Sequence, residues 1–281
     1  MTSMAMQQAP TSSAPRGRLS AASGALGGRA RDAAFLCLHS VADGGPPFLS
    51  IPPDRFAAQL RGLRDGGWAS GGSAELARLG RGERLERPHV FLTFDDGYLD
   101  NHTHAWPLLR EHGFGGIVFL LTDLVGGALR WPEVKDAVAA SPDVMRAMDW
   151  NQIGELAEAG IEFGSHGRAH AHLNRLGDEE LAQELLDSRR IIIERLGRCD
   201  VLAYPFGHWD LRVALAAGRA GYAFAFALAP VPAGLSTPLS IPRVCVDHRD
   251  VGWRLGFKTG APGRRLLSMP SLISLRHALR H

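Results

Sequence analysis

The sequence predicts an α/β fold on a parallel sheet, either open or closed into a barrel. Short apolar runs of strand length alternate along the chain with longer segments whose apolar residues recur at helical spacing. Four polar segments far apart in sequence, at His39, Asp95-Asp96, His166 and Tyr204-Pro205-Phe206-Gly207, each directly follow a predicted strand. In parallel sheets the loops at the carboxyl ends of strands carry the active residues, so these four are expected on one face. The 281 residues are 45% hydrophobic with a net charge of +2, enough for one large core. That balanced charge argues against a dedicated nucleic-acid binder.

Phe35-Leu36-Cys37-Leu38 reads as a short buried strand delivering His39 at its end. Pro53 to Asp65 reads as a helix, because Phe56, Leu60 and Leu63 share one face and Pro53 suits a first turn. Gly66-Gly67 stops it. Pro88 to Phe94 is the next strand, followed by a helix through Trp106, Leu108 and Leu109 with His102 and His104 on its exposed early turn. Ile117 to Leu121 is a continuous apolar strand. Trp150 to Ala159 is helical, capped by Asp149 and stopped by Gly160, and Ile161-Glu162-Phe163 leads as a strand into the histidines. Asp178 to Leu196 is the longest helix, with Leu181, Leu185, Ile192 and Leu196 inward. Val201 to Tyr204 (strand), Leu211 to Ala220 (helix) and Tyr222 to Leu228 (strand) complete the alternation.

Residues 1–33 are rich in Ser, Ala, Gly, Gln and Arg without a continuous apolar stretch, and are expected to be a disordered leader. The folded domain is expected over 34–250 and a basic tail over 251–281. No apolar run approaches the ~18 residues that a membrane span needs. The three cysteines, Cys37, Cys199 and Cys245, have no zinc spacing and lie in or beside apolar stretches, so buried free thiols are expected. A cytoplasmic location follows as the expectation.

The chemistry lies in Asp95-Asp96 and in Ser165-His166-Gly167-Arg168-Ala169-His170. Adjacent acids repel, so burying both side chains calls for a cation. One Asp with two His suits Zn²⁺, and Co²⁺, Ni²⁺ or Fe²⁺ fit the same set. A cation so held lowers the pKa of its water and polarises a carbonyl, leaving the other Asp free to act as base. Either segment alone has a plainer reading, a turn after a strand or two solvated histidines. Together they are the parts of a metal-dependent hydrolase.

Over Phe35 to Val246 the chain resembles the polysaccharide deacetylase family (carbohydrate esterase family 4, the NodB homology domain). Thr93 to Tyr98 matches its first motif, Ser165 to His170 its second, and Ala203 to Gly207 a branch variant of its third. Leu38-His39-Ser40 resembles the opening His motif of one branch. The resemblance implies a distorted (β/α) barrel with fewer than eight strands. It implies hydrolysis of an N-acetyl group on an amino sugar, with Asp95 as base and Asp96, His166 and His170 as metal ligands. The backbone N–H of Phe206 would help form an oxyanion hole, with Tyr204, Pro205 and Gly207 around the pocket. The substrate implied is an N-acetylated glycan or a lipid-linked sugar. Removal of another acyl group such as formyl, or a non-catalytic carbohydrate-binding relative, are the alternatives.

Three departures from the family pattern stand out. Ala203 occupies the position of an Arg that orients the base; Arg243 is a candidate replacement, the alternative being a surface ion pair. No clear match to the family's Leu-x-His acid motif is found near the C-terminus, so His39 is the candidate acid and His248 the second. The Asp-Trp pair that packs the base in many relatives is missing after Gly207. Trp131, Trp150 and Trp209 are candidate sugar platforms or core residues, and His172 is assigned a substrate-side loop role. From Val251 to His281 there are six Lys and Arg residues and no acid. With Leu272, Leu275 and Leu279 on one stripe after Pro270, this tail is expected either to dock on the barrel or to contact an anionic membrane.

Overall fold

The computed structural model describes residues 33–228 and 237–267; the expected leader, apart from Ala33, and the helix expected from Ser271 lie outside them. The parallel strands are β1 (Ala33–Leu38), β2 (Ala69–Ser70), β3 (His89–Phe94), β4 (Ile117–Leu120), β5 (Glu162–Ser165), β6 (Val201–Ala203), β7 (Phe224–Leu228) and β8 (Ile241–Cys245). Because β1 pairs with both β3 and β8, seven strands close into a barrel in the order β1-β3-β4-β5-β6-β7-β8. The two-residue β2 pairs only with the first residues of β3.

The helices are α1 (Pro53–Asp65), α2 (Ser73–Gly80), α3 (Trp106–His112), α4 (Lys135–Ala140), α5 (Trp150–Glu158), α6 (Asp178–Leu196), α7 (Leu211–Ala220), α8 (Trp253–Thr259) and α9 (Ala261–Leu267). α1, α6 and α7 have the expected bounds. Asp149 caps α5 by accepting the N–H groups of Asn151 and Gln152, and the Asp210 carboxylate caps α7 through Val213 N–H. Missed by pattern are β2, α2, α4, α8, α9 and the π-helical turn at Asn101–Ala105, each eight residues or fewer and so spanning at most about two turns, too few to establish a periodicity.

Strand alternation divides the side chains into two sets. Leu36, Leu38, Val90, Leu92, Phe94, Val118, Leu202 and Val244 face outward and pack under Phe56, Leu60, Ile153, Leu185, Ile192 and Val213 from the helices. Inside, Phe35, Phe91, Phe119 and Phe226 fill the lower barrel, with Phe35 and Phe91 stacked at 4.6 Å. Leu76 and Leu79 of α2 pack on the same inner cluster. Gly164 is required here, since a Cβ on it would come within 2.7 Å of the Phe119 ring. The inner face continues upward through Cys37, Thr93 and Arg243, so a polar layer replaces the aromatic one at the carboxyl ends.

Candidate active site

Continuing the same alternation past the strand ends brings His39, Asp95 and His166 to that layer. The end of β3 is pinned by Asp95 N–H donating to the Leu38 carbonyl at 2.9 Å. The chain then reverses through Asp96 at φ 71° and Gly97 at φ 70°. The left-handed Asp96 costs about 1–2 kcal/mol, and Gly97 is needed because a Cβ there would meet Leu120 Cδ2 at 2.9 Å. This reversal turns the Asp96 carboxylate towards β5.

Asp95 is held by Arg243, a completely buried guanidinium 148 residues away in sequence. Arg243 donates to Oδ1 at 2.6 Å and to Oδ2 at 2.8 Å, and again to Thr93 Oγ1 at 2.9 Å. Thr93 passes its own proton to the Leu36 carbonyl at 2.7 Å, and the guanidinium lies over the Phe119 and Phe226 rings. Burial would raise the Asp95 carboxyl, but the guanidinium overrides it and holds it well below the usual carboxylate range. The surface ion pair considered for Arg243 is thereby replaced by a buried, bidentate one.

His166 donates its Nδ1–H to the Ala203 carbonyl at 2.8 Å, which leaves Nε2 as the lone-pair nitrogen. That Nε2 and the Nε2 of His170 each lie 3.5 Å from Asp96 Oδ1, a buried oxygen with no hydrogen-bond partner among the described residues. The histidines converge from a loop rather than a helical turn, with Gly167 at φ 85° and His170 at φ 64°. Burial lowers both, His170 to about 2, so both imidazoles are neutral at neutral pH. Burial, then the Asp95 charge, pushes Asp96 up. An orphaned carboxylate oxygen facing two neutral imidazole lone pairs, all within 4.8 Å, fits a divalent cation by its donor chemistry.

Trp131 stacks on His170 at 4.2 Å and Phe206 meets the same ring edge-on at 4.2 Å. Among the three tryptophans it is the one that reaches the histidine cluster. Trp209 stacks on Tyr204, and Trp150 carries Arg195 over its ring. Phe206 has a left-handed backbone, φ 59°, inside the single turn Pro205–Gly207. His172 stacks on Phe206 at 4.0 Å and bonds Glu133 at 3.0 Å. The pocket placement expected for Tyr204 is corrected: it is fully buried and donates to the Leu239 carbonyl at 2.8 Å. Ala203 faces the barrel interior, so the next side chain faces the helices, a parity legible in the strand itself.

His39 stands beside Asp95, and burial pulls it down to about 4 despite the carboxylate. His248 lies in a loop tied to α1, where Arg55 donates to its carbonyl at 3.2 Å. Sequence reasoning missed Asp100 and Asn101. Asp100 accepts from Ser40 Oγ and Val41 N–H, both at 2.7 Å, while Asn101 Nδ2 donates to the His39 carbonyl at 2.8 Å. Of the cysteines, Cys245 is exposed rather than buried, because its side chain stands on the inner face where the barrel opens.

Fold and site together define a closed (β/α) barrel bearing a carboxylate–imidazole centre at the carboxyl ends of its strands. The chain belongs to the polysaccharide deacetylase family, whose model matches residues 82–225. YxkH of Bacillus subtilis, named for the same family, is 26% identical over 190 residues, 67% of this chain and 61% of that protein. The chain thus matches less than two thirds of that relative's length. A Streptococcus pyogenes deacetylase, PplD, in complex with acetate, has the same fold with a TM-score of 0.68 at 21% identity, over 80% of this chain and 97% of that one. IcaB from Ammonifex degensii also gives 0.68, at 22% identity, over 82% and 98%. At these identities the structural likeness shows the fold.

Proposed function

We propose that the protein hydrolyses the N-acetyl group of an amino sugar in a polysaccharide or lipid-linked glycan, releasing acetate. The observation that carries this reading is the pairing of an ionised, guanidinium-held Asp95 with the Asp96–His166–His170 cluster on adjoining loops. A divalent cation bound by Asp96, His166 and His170, with zinc the first choice, would polarise the acyl carbonyl and acidify nearby water. Asp95 takes the proton from the attacking water on Oδ1, which accepts from Arg243 alone, whereas Oδ2 also accepts from Cys37 Sγ. Arg243 fixes the direction of that carboxylate with a buried bidentate grip, standing in for the Arg replaced by Ala203. His39, beside Asp95, relays to the departing amine nitrogen the proton that Asp95 has taken from the water. The Phe206 turn presents backbone N–H to the oxyanion, with Pro205 and Gly207 shaping the turn.

The reading for location is a cytoplasmic enzyme with peripheral membrane contact through the basic tail. No helix among the described residues is long and apolar enough to cross a membrane. Supporting the contact, Trp253 is 79% exposed and Phe257 41% exposed on α8, with Arg254 over the Trp253 ring.

The test is acetate release from N-acetylglucosamine oligomers by zinc-reconstituted protein, with Asp95→Asn and Asp96→Ala alongside. Release abolished in both variants is expected. Undiminished release in either one refutes the assigned roles.

A further inference from the structure

His39 stands one residue past β1, at the start of a loop that reaches α1 only at Pro53. The π-helical turn Asn101–Ala105 and the residue before it grip that loop with three side chains. Asn101 Nδ2 donates to the His39 carbonyl at 2.8 Å. Asp100 accepts the Ser40 hydroxyl on one oxygen and Val41 N–H on the other, both at 2.7 Å. His104 Nδ1 donates to the Val41 carbonyl at 2.9 Å. Asp100, Asn101, Ser40 and Val41 are all buried, so water competes little for these bonds. The loop is tied on its far side as well, by Ser40 N–H to the Leu49 carbonyl and Ile51 N–H to the Ser40 carbonyl.

The grip is costly. Burial raises Asp100 to about 6, so its charged form opposes folding at neutral pH, and Asn101 Oδ1 is buried with no hydrogen-bond partner among the described residues. The π turn is itself a rare conformation, found mostly at functional sites. Three unfavourable features converging on one short segment point to a role beyond stability.

We infer that Asp100, Asn101 and His104 are positioning residues that hold the His39 ring where it passes a proton from Asp95 to the departing nitrogen. The inference rests on the proposed deacetylation and on the part given there to His39. None of the three hydrogen-bonds Asp95, Asp96, His166 or His170 among the described residues, so the hold acts through His39. It matters when the amine departs. As the carbon–nitrogen bond breaks its electron pair stays on nitrogen, and the proton that Asp95 took from water reaches that nitrogen through His39. A phenolate leaving group departs without a proton and does not need the relay.

Zinc-reconstituted full-length protein is assayed on N-acetylglucosamine oligomers and on 4-nitrophenyl acetate, as wild type, Asn101→Leu, His39→Ala and the double variant. Bound metal and circular dichroism are recorded for each. On the oligomers His39→Ala is expected to lower kcat about a hundredfold, the scale of one lost proton-transfer group. Asn101→Leu fills the space without a donor and should lower kcat about tenfold or more, since a misplacement of about 1 Å costs up to about 10²-fold. KM and the bound ion should stay as in wild type, and hydrolysis of 4-nitrophenyl acetate should be little changed. The double variant should be no slower than His39→Ala, because an absent ring cannot be misplaced. Asn101→Ser, too short to reach the carbonyl, makes the same test with less strain and should show the same split. Equal losses on both substrates, additive losses in the double variant, or a wild-type oligomer rate in both Asn101 variants overturns this inference and leaves the proposed function standing. A wild-type oligomer rate in His39→Ala overturns the acid role together with it, and no acetate from the wild type overturns the proposed function too.

Discussion

Replacing Arg243 with Met tests the buried ion pair directly. The guanidinium is fully buried and makes three short hydrogen bonds, two of them to Asp95. Met fills a similar volume but leaves the Asp95 carboxylate desolvated, unpaired and next to Asp96. Breaking one partner of a buried pair costs about 3–5 kcal/mol at neutral pH. The sign with pH follows from the Asp95 shift. In the wild type its folded pKa lies below the unfolded value, so the pair's contribution is present above about pH 4 and is lost on acidification. In the variant the guanidinium no longer opposes burial, and the Asp95 pKa rises above the unfolded value. The deficit relative to wild type is therefore greatest at neutral pH and shrinks as pH falls. Urea denaturation at neutral and mildly acid pH measures both quantities. Arg243→Met/Asp95→Asn, which removes both charges, should recover most of the loss, because nothing charged is then left unpaired. A deficit below about 1 kcal/mol, one that does not change with pH, or no recovery in the double variant would refute the reasoning.

Four further outcomes are expected. Asp95→Asn should retain one bound divalent ion by elemental analysis yet lose about 10²–10⁴-fold in acetate release, whereas His166→Ala should lose the ion. His39→Ala should slow the reaction with metal content unchanged, and an unchanged rate would return the acid role to another group. Burial raises Asp100 to about 6 although its hydrogen bonds oppose the shift, so its charged form costs stability as pH rises from about 4 to 6. Asp100→Asn should thus gain on wild type by up to about 3 kcal/mol between pH 4 and 7 in denaturant melts, and a constant difference contradicts this. Deletion of residues 264–281 should weaken co-sedimentation with phosphatidylglycerol vesicles; unaltered binding would remove the tail from the membrane contact.

Local features were legible because their causes are local. The apolar run before Asp95, the glycine after Asp96, the Asp149 cap and the apolar face of α6 each act over a few residues. Even so, the Tyr204 expectation failed on a local matter, the alternation that sends Ala203 inward and Tyr204 outward. Period-2 parity from Val201 would have found it.

From its own order of residues the chain determined the alternation of strands and helices, the four strand-end loops and the Asp and His residues they carry. Those follow from burial periodicity and turn chemistry, which reach only a few positions along the backbone. Closure of the barrel decided the rest. Pairing β1 with β8 brought Arg243 under Asp95 and Cys245 against Cys37, and the loop after β4 laid Trp131 on His170. The Asp95–Arg243 contact joins positions 148 residues apart, and its strength comes from a dry interior that exists only once the seven strands have closed.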